Sequence, residues 1–282
     1  MRNDISIAVI GSINLDIVAH VKDFPLPGET VTNAVVNRFP GGKGANQALA
    51  AHRLGASVYM VGRVGNDPVA DEALHTLLEE GVDTSYCKPL DDFSTGLALI
   101  VVNEAGENQI VVAPGANAAF DALHLELPPS DACIAQLEVP IETILKAARS
   151  SNNFFCLNAA PAKPVPHELL EHVDLLVVNE IEALALGEEL DSYHGLLAST
   201  FGANGAILSR NGQQIAEAKP PVVKVVDTTG AGDAFTAALT VALVSGMDPQ
   251  AALENACVVG ALATTKMGAQ SSPTLMEVQQ LK

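Results

Sequence analysis

Short apolar runs alternating with helical patterns set the strongest limit on what this chain can fold into. Strand patterns fall at Ile5–Ile10, Ser57–Val61, Ala132–Leu137, Phe154–Leu157, Leu175–Val178, Gly205–Leu208 and Val222–Val226. Helical periodicity falls between and after them, at Gly44–Leu54, Val69–Glu80, Ile141–Ser150, Ile181–Leu186, Gly232–Ser245 and Pro249–Thr265. Strands that alternate with helices join through right-handed crossovers, so the pattern predicts a mostly parallel sheet with helices on both faces.

Two segments break this rhythm. Residues 12–40 alternate apolar and polar positions around Pro and Gly, which predicts exposed antiparallel strands. Residues 95–113 read as a hairpin turning at Glu104–Glu107. Together they predict a small sheet inserted in one α/β domain that spans residues 1–282. A small sheet with one apolar face must be covered, so it serves as a lid over a site or as half of a dimer contact.

The composition narrows the class. At 282 residues, 48% hydrophobic and without Trp, the chain has enough apolar mass for a large helix-rich α/β core. No apolar run approaches the roughly 20 residues of a membrane span, and MRNDISIAVIGS reads as a short strand without leader features. These features suggest a cytoplasmic protein. A formal charge of −18 disfavours nucleic acid and anionic membranes as partners, although a local pocket can still hold a nucleotide. Cys87, Cys133, Cys156 and Cys257 form no CxxC pair, and the seven His residues form no HExxH, so a zinc site is not expected.

Ligands of open parallel sheets sit beyond the carboxyl ends of the strands. Polar residues gather at those ends here: Ser12, Asn14 and Asp16, then Glu138, Asn158, Asn179 with Glu182, and Asp227. In RFPGGKGANQA, Gly41, Gly42 and Gly44 permit close backbone approach, with Lys43 and Asn46 at the helix start. GxxxxGK[ST] is not matched, and a plain turn into a helix also fits these residues. Asn179–Glu182 fits a capping box as well as it fits ligands of a hydrated Mg²⁺. Glu138 precedes a helix whose dipole would also favour an acid.

The stretch VVDTTGAGDAF poses the sharpest question, because a glycine turn into a helix favours anions, yet Asp233 stands at its mouth. GxGxxG is not matched, since Phe235 holds the third position. A role as a simple cap is possible. The pairing makes more chemical sense if Asp233 takes a proton from an attacking alcohol while amides of Gly230–Asp233 stabilise a phosphoryl group in transfer.

GSINLD, PGET at Pro27–Thr30, GGKGANQA at Gly41–Ala48, QLE at Gln136–Glu138, NEIE, DTTGAGDAF at Asp227–Phe235 and KMGAQSS at Lys266–Ser272 occur in this order from end to end. In these motifs the chain resembles the ribokinase-like (PfkB-type) sugar kinases. The resemblance implies a three-layer α/β/α fold with a small β-sheet lid, frequently a homodimer contact. It implies Asp233 as base and Gly230, Ala231 and Gly232 as anion hole. Asn14, Asp16, Gly42, Lys43, Asn46 and Glu138 match sugar-binding positions. Asn179, Ser209, Gly212, Gly232 and Asn255 lie where such kinases bind the nucleotide, with Glu182 matching the position associated with Mg²⁺. Asp227, Thr229, Ala263, Lys266, Gly268 and Ser272 match a monovalent-cation site, K⁺ in activated members.

The expected activity is transfer of a phosphoryl group from ATP to the primary hydroxyl of a small sugar, D-ribose first. Deoxyribose, a ketose or a nucleoside are alternative acceptors, and a non-catalytic sugar- or nucleotide-responsive binding protein is the alternative from another class. Four features depart from the family pattern: Ser209 replaces a common glycine, and the stretch from Gly187 to Asn204 is short, suggesting trimmed helices. NAAPA at Asn158 lacks the proline often seen after its first residue, and Lys266 stands where arginine is usual.

Overall fold

The N-terminal apolar run forms β1 (Ser6–Ile10), which lies inside a nine-stranded sheet. The computed structural model describes residues 4–281; residues 1–3, the start of the stretch read above as lacking leader features, and residue 282 lie outside the described residues. After β1, β2 (Asn14–His20) leaves the body, β3 (Val35–Gly41) returns antiparallel to it, and α1 (Lys43–Arg53) follows. β4 (Ser57–Gly65), α2 (Pro68–Glu80) and β5 (Asp83–Leu90) come next. β6 (Gly96–Val102) and β7 (Asn108–Ala113) form the expected hairpin, followed by 3-10 turns at Gly115–Ala119 and Ala122–His124.

The chain then alternates through β8 (Ala132–Gln136), α3 (Ile141–Ser150), β9 (Phe154–Asn158), α4 (His167–Leu170), β10 (Leu175–Asn179) and α5 (Glu180–Leu186). One-turn α6 (Glu188–Asp191), β11 (Leu196–Thr200), β12 (Ala206–Arg210) and β13 (Gln213–Ala218) finish the sheet. Helices α7 (Ala231–Val244), α8 (Pro249–Ala263) and α9 (Leu275–Gln280) close the chain.

The large sheet runs β13-β12-β11-β10-β9-β8-β1-β4-β5, parallel from β11 to β5 and antiparallel only at β12 and β13. One apolar layer packs its strands against α1, α2, α7 and α8, the other against α3, α4 and α5. Helix α7, AGDAFTAALTVALV, is apolar almost all round, as a helix buried between other layers must be. The predicted three-layer architecture is therefore observed. The second sheet runs β3-β2-β6-β7, with β2 and β6 parallel at its centre.

Departures from the sequence reading fall mostly at edges, apart from β11, an interior strand absent from the strand patterns read above. Val222–Val226 forms no strand: it follows Pro220 and Pro221 beyond the last sheet strand, and Val222, Val225 and Val226 are exposed. Only Val226 and Asp227 anchor there, donating backbone N–H bonds to Thr264 O at 2.8 and 3.1 Å. Asp227 thus sits in a loop and not at a strand end. Strands β5 and β13 escape sequence detection because their edge positions leave them polar and partly exposed (DTSYCKPL, QQIAEA). In the stretch expected to hold trimmed helices, a single turn of helix precedes β11.

Candidate active site

At the carboxyl ends of β9, β10 and β11, one cavity of about 250 Å³ opens among Lys43, Asn158, Asn179, Glu182, Thr200, Thr228, Gly230, Gly232 and Asp233. Next to Lys43, two backbones are in contact. A Cβ on Gly44 would stand 2.6 Å from the carbonyl carbon of Gly11, so only glycine lets α1 start this close to the end of β1. That contact brings the first turn of α1 against the first turn of α7.

Asp233 is 5% exposed, and its side chain faces the cavity. Asn46 Nδ2 donates to its Oδ2 at 2.9 Å, and Gln47 Nε2 donates to its Oδ1 at 2.9 Å. Each carboxylate oxygen keeps a second lone pair, so the bonds fix its direction without using up its capacity to accept a proton. Gln47 also donates to Asn158 Oδ1 at 3.1 Å and accepts from Gln136 Nε2 at 2.6 Å. The Oδ1 of Asn46 and the Oε1 of Gln136 are buried without a hydrogen-bond partner. Orphaned buried acceptors are rare in a folded interior, and next to a carboxylate they suit a ligand bearing hydroxyls.

Helix α7 starts at Gly230, in a left-handed conformation with φ 78°. The first turn of any helix leaves N–H groups without intrahelical partners. Ala231 N already donates to Thr228 O at 3.3 Å and Ala231 does not line the cavity, whereas Gly230 and Gly232 do. Ala231 therefore fits an anion hole less well than its neighbours.

Glu138 accepts from Ser12 Oγ at 2.5 Å and from Lys43 N at 3.1 Å. Asn14 Oδ1 accepts from Asn117 Nδ2 at 2.8 Å, and Asn117 also bonds the backbone of Ile13 on both sides. Asp16 is 8% exposed and sits directly over Gly41. Burial first, then the charges of Glu138 and Asp233, push its carboxyl up to about 7. The Lys43 ammonium is held above its usual range, chiefly by Asp233, against the opposing effect of burial. Burial raises the Glu182 carboxyl, with the Asn179 backbone bond and Lys43 opposing.

Asn179 and Glu182 form a full capping box: Glu182 N donates to Asn179 Oδ1 at 2.9 Å, and Asn179 N to Glu182 Oε2 at 2.8 Å. Both residues nonetheless line the cavity, and Glu182 keeps Oε1 outside the box. One free carboxylate oxygen fits a largely hydrated Mg²⁺ near phosphates; it does not fit an all-protein cage. Among the described residues no cluster of three His, Cys, Asp or Glu side chains could hold a metal alone.

Of the residues matched to a monovalent-cation site, three come together. Asp227 Oδ1 accepts from Thr229 N and Oγ1 at 2.9 and 2.7 Å, and its Oδ2 from Gly268 N at 2.9 Å. Ala263 O accepts from Ser271 Oγ, and Ser272 O from Arg53 Nη1, both at 2.7 Å. The Lys266 side chain turns outward onto Glu277. Ser209 on β12, Gly212 in the β12–β13 turn and Asn255 on α8 lie on elements that pack together, but none lines the cavity. Gln47, Gln136 and Asn117 are the contributors that sequence reasoning did not assign, and the sequence marks Ser12 only as a polar residue at a strand end. Gln47 had a signal, since it stands one turn after Lys43 in GGKGANQA.

Comparison with known proteins adds a second line of evidence. The model of the pfkB family carbohydrate kinases matches residues 4–275. The ribokinase of Bacillus subtilis (strain 168) is 41% identical over 297 aligned residues, covering 100% of this chain and 99% of that one. The crystal structure of a ribokinase from Thermotoga maritima superposes with a TM-score of 0.89 at 34% identity, covering 98% of each chain. The structure of Arabidopsis thaliana ribokinase complexed with ribose and ATP superposes with a TM-score of 0.88 at 29% identity, again over 98% of each. With motifs, fold and near-complete alignment in agreement, the chain belongs to the pfkB family of carbohydrate kinases.

Proposed function

We propose that this protein transfers the γ-phosphoryl group of ATP to the primary hydroxyl of D-ribose, giving ribose 5-phosphate and ADP. The observation that carries the reading is Asp233: a buried carboxylate aimed into the cavity by Asn46 and Gln47, beside the open first turn of α7. Full-length similarity to ribokinases, one of them described in complex with ribose and ATP, selects the sugar.

Asn14, Asp16, Gly42, Lys43, Asn46 and Glu138 receive the sugar hydroxyls, and the free Oδ1 of Asn46 accepts one of them. Asp233 takes the proton of the primary hydroxyl as its oxygen attacks the γ-phosphorus, and the bond to the ADP oxygen breaks. Amides of Gly230, Gly232 and Asp233 stabilise charge on the transferring group, with Lys43 beside them. Ser209, Gly212 and Asn255 border the nucleotide. Glu182, through water, would hold Mg²⁺, which would supply charge neutralisation on the phosphates. Asp227, Thr229 and the 263–272 loop would hold K⁺, whose charge would favour the anion beside the first turn of α7.

The β3-β2-β6-β7 sheet acts as the lid of this single domain, and its exposed apolar pair, Leu99 with Val111 on one face, fits against a second copy in a homodimer. Among the described residues no helix is long and apolar enough to cross a membrane, which accords with work in the cytoplasm.

A coupled ADP-release assay over pentoses, 2-deoxyribose, hexoses and nucleosides, with and without K⁺, tests this reading. D-Ribose should give the highest kcat/KM, with ADP and sugar phosphate formed one to one. Calorimetric sugar binding without ADP release across the panel would instead identify a binding protein.

A further inference from the structure

A second cavity, of about 330 Å³, lies on β4 and β5 at the far edge of the large sheet, lined by Arg63, Tyr86, Lys88, Leu90, His124 and Glu126. On this face the neighbouring strands are covered by α3, α4 and α5, whereas Arg63 is covered by Phe120 and the short turn at Ala122–His124. The cavity forms where that layer thins.

Its cations are placed in an unusual way. Arg63 is only 5% exposed, yet among the described residues it makes no ion pair. Its Nη1 donates to Gly62 O at 2.9 Å and its Nη2 to His124 O at 2.7 Å, with the guanidinium 4.2 Å from the centre of the Phe120 ring. A buried cation hydrogen-bonded only to neutral groups is costly, and the acids that act on it, Glu126 and Asp121, do so from beyond ion-pair distance. The parallel register then sets Lys88 directly beside Arg63, on the same face. Like charges at directly paired strand positions disfavour one another. His124 adds a third basic group at the rim, where it bonds Asp121 Oδ2 at 3.2 Å. Glu126 is exposed and the sole carboxylate of the lining. On a chain of charge −18, such a gathering of basic groups in a pocket asks for a counter-charge.

We propose that this cavity is a binding site for a small anionic metabolite carrying a phosphate or carboxylate group, separate from the catalytic cavity. The free N–H groups of the Arg63 fork and the mobile Lys88 ammonium grip the oxyanion, the geometry in which guanidinium is most selective. The volume exceeds that of inorganic phosphate and lies in the range of small-molecule sites, so Tyr86 and Leu90 contact the remainder of the ligand. Glu126 limits affinity by repulsion and favours ligands whose charge sits deep, at Arg63.

Amide-resolved NMR titration of the full chain with inorganic phosphate, and separately with malonate, tests this. Saturable shifts should cluster at residues 86–90 and 124–126. Lys88→Gln, an exposed change that spares the core, should weaken that binding about fivefold or more, and Glu126→Gln should tighten it about threefold. Stronger binding of phosphate marks a phosphorylated ligand, and stronger binding of malonate a carboxylated one. Shifts confined to residues 230–233, or an unsaturable response at 86–90 that Lys88→Gln leaves unchanged, would overturn the proposal.

Discussion

Asp16 shows how a single residue couples sugar recognition to stability. Its carboxyl stands at about 7 in the folded protein against an ordinary 3.8, because burial and two neighbouring acids oppose ionisation. A raised carboxyl leaves the folded state unpenalised below about pH 4, and stability is lost as pH rises through about 7. At about 1.4 kcal/mol per pH unit, the full penalty is on the order of 4 kcal/mol above pH 7. Asp16→Asn should therefore raise Tm by several degrees at pH 8 and scarcely at pH 4, in paired melting curves. Ionised Asp16 is the better acceptor for sugar hydroxyls, so the wild-type KM for ribose should fall between pH 6 and 8, and the Asn variant should lose that trend. Gln47 acts through another group. Replacing it by Leu leaves Asp233 Oδ1, Asn158 Oδ1 and Gln136 Nε2 short of a buried partner, at about 1–3 kcal/mol for each group left unpaired. With Asp233 no longer held, kcat should drop roughly 10- to 100-fold while KM for ribose changes little, as steady-state kinetics would record.

The first turn of α7 depends on an element far from it in sequence. Gly230 adopts φ 78°, and a Cβ there would lie 2.2 Å from Ala269 O. The helix start is thus seated on the 268–272 loop, which Asp227 and Arg53 hold in place. Gly230→Ala should lower stability by about 1–3 kcal/mol in urea unfolding and reduce turnover together. Much of this element logic was legible in the chain. The apolar runs of β1, β8, β9 and β10 announced the sheet interior, and GAGD announced a glycine turn into a helix. What escaped was set by tertiary context. Val222–Val226 has strand composition but no neighbouring strand to pair with, while β5 and β13 carry polar residues because one side of each lacks a partner. Gln136 was invisible as a site residue, and Gln47 showed only its place one turn after Lys43, because an amide gains its role only from what the fold places beside it. Asn179 and Glu182 met the capping-box reading, and the box that builds α5 leaves Glu182 lining the cavity.

At the scale of the whole molecule, the large sheet carries the cavity and the small one is the proposed lid. The lid strand β7 is exposed along its full length, and an open apolar edge of this kind invites pairing. Sedimentation should report a dimer at micromolar concentration, and Val111→Lys should shift it to monomer with the active-site residues untouched. The account rests most heavily on one carboxylate, and the Asp233→Asn variant addresses it directly. Single-turnover phosphoryl transfer to D-ribose should slow by about 10²- to 10⁴-fold, with calorimetric ribose affinity within about threefold of wild type. A variant that binds ribose normally and transfers phosphate at near wild-type rate would contradict the assignment of Asp233 as the base.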